Sequence, residues 1–484
     1  MAYLGIDLGT SGLRALLVDA QGTPIASAEH HYAAQNPHRG WSEQDPQQWV
    51  DALDHAMMSL GAEHADALRA LRGIGVAGHM HGATLLDDAG RVLRPCILWN
   101  DTRSQSQATR LDQTAGVRDL SGNIVFAGFT APKLEWVREN EPETYAKVSK
   151  VLLPAAYMNF HLTGDYVADM SDSAGTSWLD VGARDWSDRL LDAGNMRRDQ
   201  MPRLVEGSAA AGQLRDDLRQ KWGIAGPVTV AGGAGDNAAA ACGIGALNEG
   251  VGFVSLGTSG VLLAARNGYR PAPETALHTF CHAVPDRWYQ MGVMLSATDS
   301  LNWLSSITGK SPADLTKALG HDLRAPSTLR FLPYLSGERT PHNDAEIRGA
   351  FTGLSVGTTI EDMTQAVLEG VAYGLRDSYD ALCGTGATFE SLIAIGGGSA
   401  SRYWLRVIAS VLGVPLTLPA KGEFGAALGA ARLGMTAAGD ASVDEIMGIP
   451  AMADQIDPDP ALMAGFAEGF DRFRATYPAI KSVQ

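Results

Sequence analysis

The sequence predicts an α/β fold of two related domains with a cleft between them, and three observations support this prediction. The chain has 484 residues, and a chain of that length usually divides into domains of about 200–250 residues. The segment Leu-Gly-Thr-Ser-Gly occurs twice, at 8–12 and at 256–260. Around the first copy the pattern runs strand, strand, strand, helix, strand, which is the opening order of ribonuclease-H-like folds. We therefore expect two ribonuclease-H-like domains, at 1–248 and 249–484.

Composition restricts the possible partners. The chain carries 38 basic and 54 acidic residues, a formal charge of −16, which argues against binding nucleic acid or anionic membranes. Its four cysteines form no Cys-x-x-Cys pair, so neither a zinc site nor a disulfide framework is indicated. A reduced, cytoplasmic setting is expected. We find no signal-peptide pattern and no apolar stretch of about 18 residues that would predict a membrane span.

The first half is predicted to open with consecutive strands. Period-two patterns indicate strands at Tyr3–Asp7, Leu13–Asp19 and Pro24–Tyr32, and Leu71–Ala77 is a short buried strand. Asp45–Leu60 has helical periodicity with proline in its first turn. Further along the half we predict, in order, a helix at Pro132–Asn140, a polar loop at 171–176, a strand at Val228–Ala231 and an alanine-rich helix at Ala238–Ala246.

The second half is predicted to begin near residues 247–250, with a hairpin starting at Val251. The later elements are a helix at Ala297–Thr308, a strand at Phe331–Leu335, a helix at Thr359–Gly384, a strand at Leu392–Ile395, and helices at Arg402–Leu412 and Gly425–Met435. The remainder, Asp440–Gln484, is expected to be helical and without a chemical signal.

The two Gly-Thr-Ser-Gly turns are predicted phosphate sites. Glycines let backbone N–H groups converge on an anion, and the hydroxyls add donors. In the first copy Asp7 ends the preceding strand, where a carboxylate can hold a metal that binds phosphate. Ser255 replaces it in the second copy. Each turn alone could be an ordinary polar hairpin, but the pair suggests two lobes that close on a nucleotide.

The strand that follows each hairpin and helix also has a counterpart in the other half. Residues 73–78 lead into His79, Met80 and His81, whereas residues 392–395 lead into bare glycines at 396–398. We infer that the first strand end delivers side chains to a small polar substrate. The second would admit a flat adenine ring against exposed backbone.

Three motifs admit other interpretations. Gly233–Ala238 matches the loose Gly-x-Gly-x-x-Ala dinucleotide pattern of dehydrogenases, but it lacks the acidic residue about 20 positions later, and Asp236 would repel pyrophosphate. Asp236 itself could be a helix N-cap, a general base for a substrate hydroxyl, or both. His79 and His81 on one face could bind a metal or form a hydrogen-bonding pair, with His79 also open to a structural role. Glu338 and Arg339 could form a surface ion pair.

The chain resembles the FGGY family of carbohydrate kinases over nearly its whole length. The matching segments are Gly5–Ser11, Trp41–Pro46, Met80–Ala83, Leu98–Arg103, Phe129–Trp136, Gly235–Asn237, Leu256–Gly260, Tyr334–Pro341 and Ile395–Gly398, with Phe129–Trp136 and Gly337–Gly353 resembling the two family signatures. The resemblance implies a two-lobed fold of the actin, hexokinase and sugar-kinase type. It also implies ATP-dependent phosphorylation of a sugar and possible homodimers. The choice of D-xylulose, phosphorylated at its 5-hydroxyl, rests mainly on the resemblance at Met80-His81. No nucleic-acid or membrane partner is expected.

The resemblance further implies roles for individual residues. Asp236 would be the catalytic base, with Met80, His81 and Asn237 beside it in the sugar site. Asp7 would serve catalysis by holding Mg²⁺ through water. The residues implied for ATP are Thr10, Ser11, Arg14, Gly257, Thr258, Ser259, Asn302, Gly397 and Gly398. One alternative is a sister kinase for L-ribulose, gluconate or glycerol. Another is a non-catalytic two-lobed ATP or sugar sensor, but the intact Asp236-Asn237 and Met80-His81 pairs argue against a non-catalytic protein.

Overall fold

The structure is a computed structural model that describes residues 1–420 and 425–483. The strands of the first half are β1 (Ala2–Leu8), β2 (Gly12–Asp19), β3 (Pro24–His31), β4 (Glu43–Gln44), β5 (Leu71–Gly78), β6 (Thr84–Leu86), β7 (Cys96–Ile97), β8 (Lys150–Leu152), β9 (Val167–Asp169), β10 (Leu179–Asp180), β11 (Asp185–Trp186), β12 (Arg203–Val205), β13 (Ala210–Gln213), β14 (Thr229–Ala231) and β15 (Ala234–Gly235). Its helices are α1 (Pro46–Arg69), α2 (Gln105–Asp112), α3 (Val117–Ser121), α4 (Thr130–Asn140), α5 (Pro142–Tyr145), α6 (Pro154–Thr163), α7 (Met170–Ser173), α8 (Asp188–Ala193), α9 (Asp216–Lys221) and α10 (Asp236–Ile244).

The second half repeats the mixture of strands and helices. Its strands are β16 (Gly252–Leu256), β17 (Gly260–Arg266), β18 (His278–Cys281), β19 (Trp288–Met294), β20 (Arg330–Leu332), β21 (Ala350–Thr352), β22 (Leu392–Ile395), β23 (Leu416–Pro419) and β24 (Met452–Ile456). Its helices are α11 (Thr298–Thr308), α12 (Pro312–Lys317), α13 (Ile360–Gly384), α14 (Arg402–Leu412), α15 (Gly425–Ala437), α16 (Val443–Ile446) and α17 (Met463–Lys481).

The two main sheets share one arrangement. The first has the order β13-β14-β5-β1-β2-β3, with β15 also paired to β5, and the second has the order β18-β19-β17-β16-β22-β23-β24. In each, an antiparallel hairpin (β1–β2, β16–β17) lies beside a parallel strand, β5 or β22 respectively. The predicted α/β class with two related sheets is confirmed, and so is the predicted equivalence of the strands at 73–78 and 392–395.

Helix α15 belongs to the second half in sequence but packs on the first sheet. A Cβ atom added to Gly5 of β1 would lie 1.8 Å from the Ala427 carbonyl oxygen, and one added to Gly75 of β5 would lie 1.9 Å from the Ala430 oxygen. The other face of α15 meets α10 as closely, since a Cβ on Gly429 would lie 1.7 Å from the Ala239 oxygen. The alanine and glycine content that predicts close packing therefore serves to join the two halves.

Two segments differ from their prediction. Residues 171–176 are a buried helical turn, not a polar loop, because Asp169 caps α7 by accepting the backbone N–H groups of Ser171 and Asp172. Within the predicted helical remainder, Met452–Ile456 is an edge strand beside β23, and its alternating half-exposed pattern is too short to distinguish from a helix. Gln484, the last residue of that prediction, lies outside the described residues.

The boundaries of α1 follow its capping groups. Asp45 is the N-cap, its side chain accepts the backbone N–H of Gln47, and Pro46 stands at the first helical position, where its missing N–H costs nothing. The helix runs beyond the predicted end at Leu60 to Arg69, across a non-helical residue at His64. Among the helices of residues 1–420 and 425–483, none is long and apolar enough to span a membrane.

We expect Gly75→Ala to lower the free energy of unfolding by about 1–3 kcal/mol or more, because the new methyl group meets backbone atoms of α15 that cannot rotate away. Gly226→Ala is the matched control, since a Cβ there meets nothing within 4 Å. Urea unfolding followed by tryptophan fluorescence measures both variants. Equal stability of the two variants would contradict the close packing of α15 on the first sheet.

Candidate functional site

One edge of the first sheet brings three predicted site segments together. Strands β1, β5 and β15 run parallel, with Asp7 opposite Ala77 and Gly235 opposite Gly78. The carboxyl ends of parallel strands in such sheets open onto a ligand crevice. Asp7 at the end of β1, Met80 and His81 after β5, and Asp236 after β15 therefore share this edge.

A cavity of about 130 Å³, here called the smaller cavity, lies above that edge. It contains the whole predicted sugar set of Met80, His81, Asp236 and Asn237. Its other lining residues are Trp99, Gly128, Phe129, Ser259, Val261, Met291, Val293 and Arg339. Five of the lining residues belong to the second half of the chain, namely Ser259, Val261, Met291, Val293 and Arg339. Both halves of the chain therefore form the wall of the cavity.

His81 is held as a neutral acceptor. Its Nδ1 lies 2.7 Å from the Gly175 carbonyl oxygen, so Nδ1 carries the proton and Nε2 is left to accept. The ring stacks on Phe129 at a centroid distance of 4.4 Å, and burial lowers its pKa to about 3. The backbone here has a positive φ of 69°, and its carbonyl oxygen accepts from Lys133 Nζ at 2.8 Å.

Glycines of the chain make room for Met80 and His81. A Cβ on Gly175 would lie 2.5 Å from His81 Nδ1, and one on Gly235 would lie 2.8 Å from Met80 Cγ. The hydroxyl of Tyr289, from the second half, lies 3.8 Å from the Met80 sulfur. Side chains of both residues are thus fixed by close packing rather than by loop geometry.

Asp236 is the first residue of α10, and Gly235 is the N-cap. The alternative in which the Asp236 side chain caps the helix is therefore wrong. One carboxylate oxygen accepts the backbone N–H of Asn237 at 2.7 Å and its side-chain amide at 2.9 Å. Burial raises the pKa of Asp236 to about 6, against the lowering effect of those hydrogen bonds. A carboxylate with such a pKa can accept a proton near neutral pH.

The first hairpin forms a separate groove of about 210 Å³, lined by Asp7, Gly9, Ser11, Gly12, Leu13, Arg14, Glu29 and His31. Burial raises the pKa of Asp7 to about 7; the charge of Asp236 adds to this rise, and Arg14 opposes it. Arg14 forms an ion pair with Glu29 at 2.5 Å. Thr10 lies outside the groove lining, and its hydroxyl accepts from Trp99 Nε1 at 3.0 Å, which ties this hairpin to the smaller cavity.

A larger cavity of about 1010 Å³ lies against the second sheet. It is lined by five residues of the predicted ATP set: Gly257, Thr258, Asn302, Gly397 and Gly398. Gly396 has a φ of 87°, and a Cβ there would lie 2.8 Å from the Leu256 backbone, whereas a Cβ on Gly397 would meet nothing within 4 Å. One side of the glycine run at 396–398 thus packs on β16, and its other side is open to the larger cavity. That cavity is large enough for a nucleotide.

The tip of the second hairpin faces both cavities. Gly257 and Thr258 line the larger cavity, and the next residue, Ser259, lines the smaller one. The tip is fixed on the start of α11, because the Gly257 carbonyl oxygen accepts from the backbone N–H of Thr298 at 3.0 Å and from its hydroxyl at 2.8 Å. Ser259, which is predicted as a phosphate residue, lines the smaller cavity.

The two histidines do not act as a pair, and His79 has the structural position that the sequence left open. His79 packs edge-on against Trp49 at a centroid distance of 5.6 Å, and neither ring nitrogen has a hydrogen-bond partner among the described residues. It does not line the smaller cavity. A strand would place the residues at 79 and 81 on one face, but the chain leaves β5 at Gly78 and turns at His81. No cluster of metal-ligating side chains is found in residues 1–420 and 425–483.

The two other open interpretations are also decided by packing. Glu338 is buried, and Arg339 reaches the smaller cavity, so they are not a surface ion pair. Gly233 is filled by its own chain, since a Cβ there would lie 2.4 Å from the Val76 carbonyl oxygen. The glycines of the dinucleotide pattern are therefore occupied by the chain itself: Gly233 packs on β5 and Gly235 makes room for Met80.

Several lining residues were missed by sequence reasoning. Trp99 and Phe129 lie within matched family segments, which was an available signal, but nothing in the local sequence distinguishes Val261, Met291 or Val293 from core residues of a strand. Their position at the cavity depends on how the two halves meet.

The free energy of unfolding of Asp236→Asn should exceed that of the wild type by about 1–2 kcal/mol at pH 8. In the unfolded chain this carboxyl ionises near pH 4, and in the folded protein near pH 6, so the folded protein bears the cost of a buried charge above that range. The difference should shrink as the pH falls from about 6 to 4. Chemical denaturation at several pH values measures it, with Asp188→Asn, on the exposed surface of α8, as the control. A variant less stable than wild type at every pH would contradict this.

The chain is similar to known proteins over nearly its whole length. Residues 2–243 match the N-terminal domain of the FGGY family of carbohydrate kinases, and residues 252–438 match its C-terminal domain. A xylulose kinase of Escherichia coli K12 is 45% identical over 479 residues, which is 98% of each chain. The crystal structure of a xyloylose kinase from Brucella ovis is 54% identical, covers 100% of both chains and has a TM-score of 0.98. That of a xylulose kinase from Rhodospirillum rubrum is 27% identical, covers 100% of this chain and 99% of the other, and has a TM-score of 0.91. The chain therefore belongs to the FGGY family of carbohydrate kinases.

Proposed function

We propose that this protein transfers the γ-phosphoryl group of ATP to the 5-hydroxyl of D-xylulose. The observation that supports this most directly is the placement of two consecutive residues, Thr258 at the larger cavity and Ser259 at the smaller one. A phosphoryl group held at this hairpin tip would have a nucleotide on one side and an acceptor hydroxyl on the other. In-line transfer requires that order of donor, phosphoryl group and acceptor.

On the acceptor side, Asp236 is the proposed general base. Its second carboxylate oxygen accepts no hydrogen bond from Asn237. In the ionised form this oxygen can take the proton of the sugar hydroxyl while the hydroxyl oxygen of the sugar attacks phosphorus. General bases of this kind contribute about 10²–10⁴ in rate. His81 Nε2 and the Asn237 amide oxygen would accept hydrogen bonds from other sugar hydroxyls. Phe129 and Met80 would exclude water from the cavity, because water would otherwise compete with the sugar as the phosphoryl acceptor.

On the donor side, the larger cavity is the proposed ATP site. Its glycines 397 and 398 would lie against the adenosine, and Asn302 on α11 would contact the nucleotide. Gly257 and Thr258 would meet the phosphates, with Ser11 and Arg14 approaching from the first hairpin. Thr10 would serve the γ-phosphate together with Asp7.

Asp7 is the proposed holder of Mg²⁺, through water. Magnesium sites at phosphates commonly use one or two carboxylates together with the phosphate oxygens. In the groove of the first hairpin Glu29 is paired with Arg14, whereas the pKa of Asp7 is raised by burial and further by the charge of Asp236. Such a group favours a cation, so the residues fit a metal at this place. The bound ion would neutralise charge on the transferred phosphoryl group.

We propose xylulose rather than another substrate of the family because of the names of the most similar relatives. The Escherichia coli relative at 45% identity and the Brucella ovis structure at 54% identity are both named for this activity. The gluconate kinase of Lactobacillus acidophilus is 24% identical, which shows only a shared fold. We also propose that the chain has two domains, at 1–248 and 249–484. Helix α15 belongs to the second domain in sequence and packs on the sheet of the first.

Asp236→Asn should lower kcat with D-xylulose by at least about 10²-fold while ATP binding stays within about twofold, because the base is lost and the nucleotide cavity is untouched. Wild-type kcat/KM should fall as the pH drops below about 6, where the carboxylate is protonated. The assay is sugar-dependent ADP release, with L-ribulose, gluconate and glycerol as alternative acceptors.

Asp188→Asn is the control and should keep wild-type turnover. Substantial turnover by Asp236→Asn would refute the base assignment. A wild-type protein that releases no ADP with any of these acceptors would refute the kinase itself, and faster turnover with another acceptor would refute the choice of sugar.

A further inference from the structure

We propose that Arg339 binds the C2 carbonyl oxygen of the open-chain ketose and thereby makes the smaller cavity select ketoses over the corresponding polyols. This inference rests on the proposed function, since it names which group of the substrate one lining residue recognises. It concerns a side chain that the mechanism above does not use.

The first support is the inventory of hydrogen-bonding groups in the smaller cavity. His81 offers an acceptor, Asp236 in its ionised form offers only acceptors, and Asn237 and Ser259 can each both donate and accept. Trp99 has used its single N–H on Thr10. Among the described lining residues, Arg339 is thus the side chain whose remaining hydrogen-bonding groups are all donors.

The second support is how Arg339 is held. Its guanidinium lies over the ring of Phe126 at 4.7 Å, and Nη1 lies 3.4 Å from His278 Nε2. The neighbouring Glu338 accepts backbone N–H groups of Leu295 and Arg339 through Oε1. No carboxylate in the described residues forms an ion pair with the Arg339 guanidinium, so aromatic contacts orient this group.

A half-buried guanidinium that forms no ion pair favours an acceptor from the ligand, because removing a cation from water without a strong acceptor is costly. Polyol hydroxyls can donate as well as accept, whereas a carbonyl oxygen only accepts. The donor-only Arg339 therefore matches a carbonyl better than any other group of a sugar. Hydrogen bonds to charged groups are also stronger than those between neutral groups.

The chemistry of the substrate supplies the third support. A 2-ketopentose can close to a furanose only through its 5-hydroxyl, and that is the hydroxyl to be phosphorylated. The reacting sugar must therefore be open-chain, with a free ketone at C2. A donor fixed at the ketone selects the reactive form from the mixture of forms in solution.

The test uses ligands that bind but cannot react. The probes are 5-deoxy-D-xylulose and the two 5-deoxypentitols obtained by reducing its C2 carbonyl, titrated calorimetrically into wild type, Arg339→Met, Arg339→Gln and Arg339→Lys. Arg376→Met is the matched control, because Arg376 also lies over aromatic rings of the second half, Tyr379 and Phe470, but lines neither cavity. Thermal melts establish which variants are folded.

Wild type and Arg376→Met should bind the ketone about ten- to a hundredfold more tightly than either alcohol. In Arg339→Met and Arg339→Gln that ratio should fall to about twofold or less, and Arg339→Lys should lie between. A ratio that survives removal of the guanidinium, or an equal loss for ketone and alcohols, would overturn the inference. Such results would leave the proposed function standing if wild type still phosphorylates D-xylulose, whereas absence of that turnover would refute the function independently.

Discussion

The arrangement of the site depends on how the second hairpin is attached to α11. Its tip carbonyls, on Gly257 and Thr258, accept the N–H groups of Thr298 and Ala297 at 3.0 and 2.8 Å. The first N–H groups of a helix have no partner within the helix, so the tip satisfies donors that would otherwise be left open. This contact fixes residues 257–259 between the larger and the smaller cavity. Without it, neither cavity would have its shared wall.

The first sheet supplies the opposite wall in a comparable way. Parallel pairing of β1, β5 and β15 places Asp7, His81 and Asp236 along one edge, and burial at that edge raises the pKa of both carboxyl groups. Helix α15 then packs on the back of β1 and β5 while α10 packs on α15. Because the helix that begins with Asp236 lies against a helix of the other half, the position of the proposed base is coupled to the contact between the halves.

Much of this could be predicted from the sequence, and the exceptions have physical causes. The two hairpins, the Asp236–Asn237 pair and Met80-His81 are local motifs, and their surroundings follow from strand order. Arg339 lies in a matched family segment, but its place at the smaller cavity could not be assigned, because its aromatic neighbours Phe126 and His278 are far away in the chain. His79 was misplaced since its face depends on where β5 ends. Small residues predicted that α15 packs closely but not on which sheet, and β24 was missed because its residues are half exposed.

The central claim is that one hairpin tip divides a nucleotide cavity from a sugar cavity. Steady-state kinetics of Thr258→Val and Ser259→Ala, with both substrates varied, tests it most directly. We expect Thr258→Val to raise KM for ATP several-fold with little change in KM for D-xylulose, and Ser259→Ala to raise KM for D-xylulose with little change for ATP. If both variants change KM for the same substrate, the tip does not separate the two ligands.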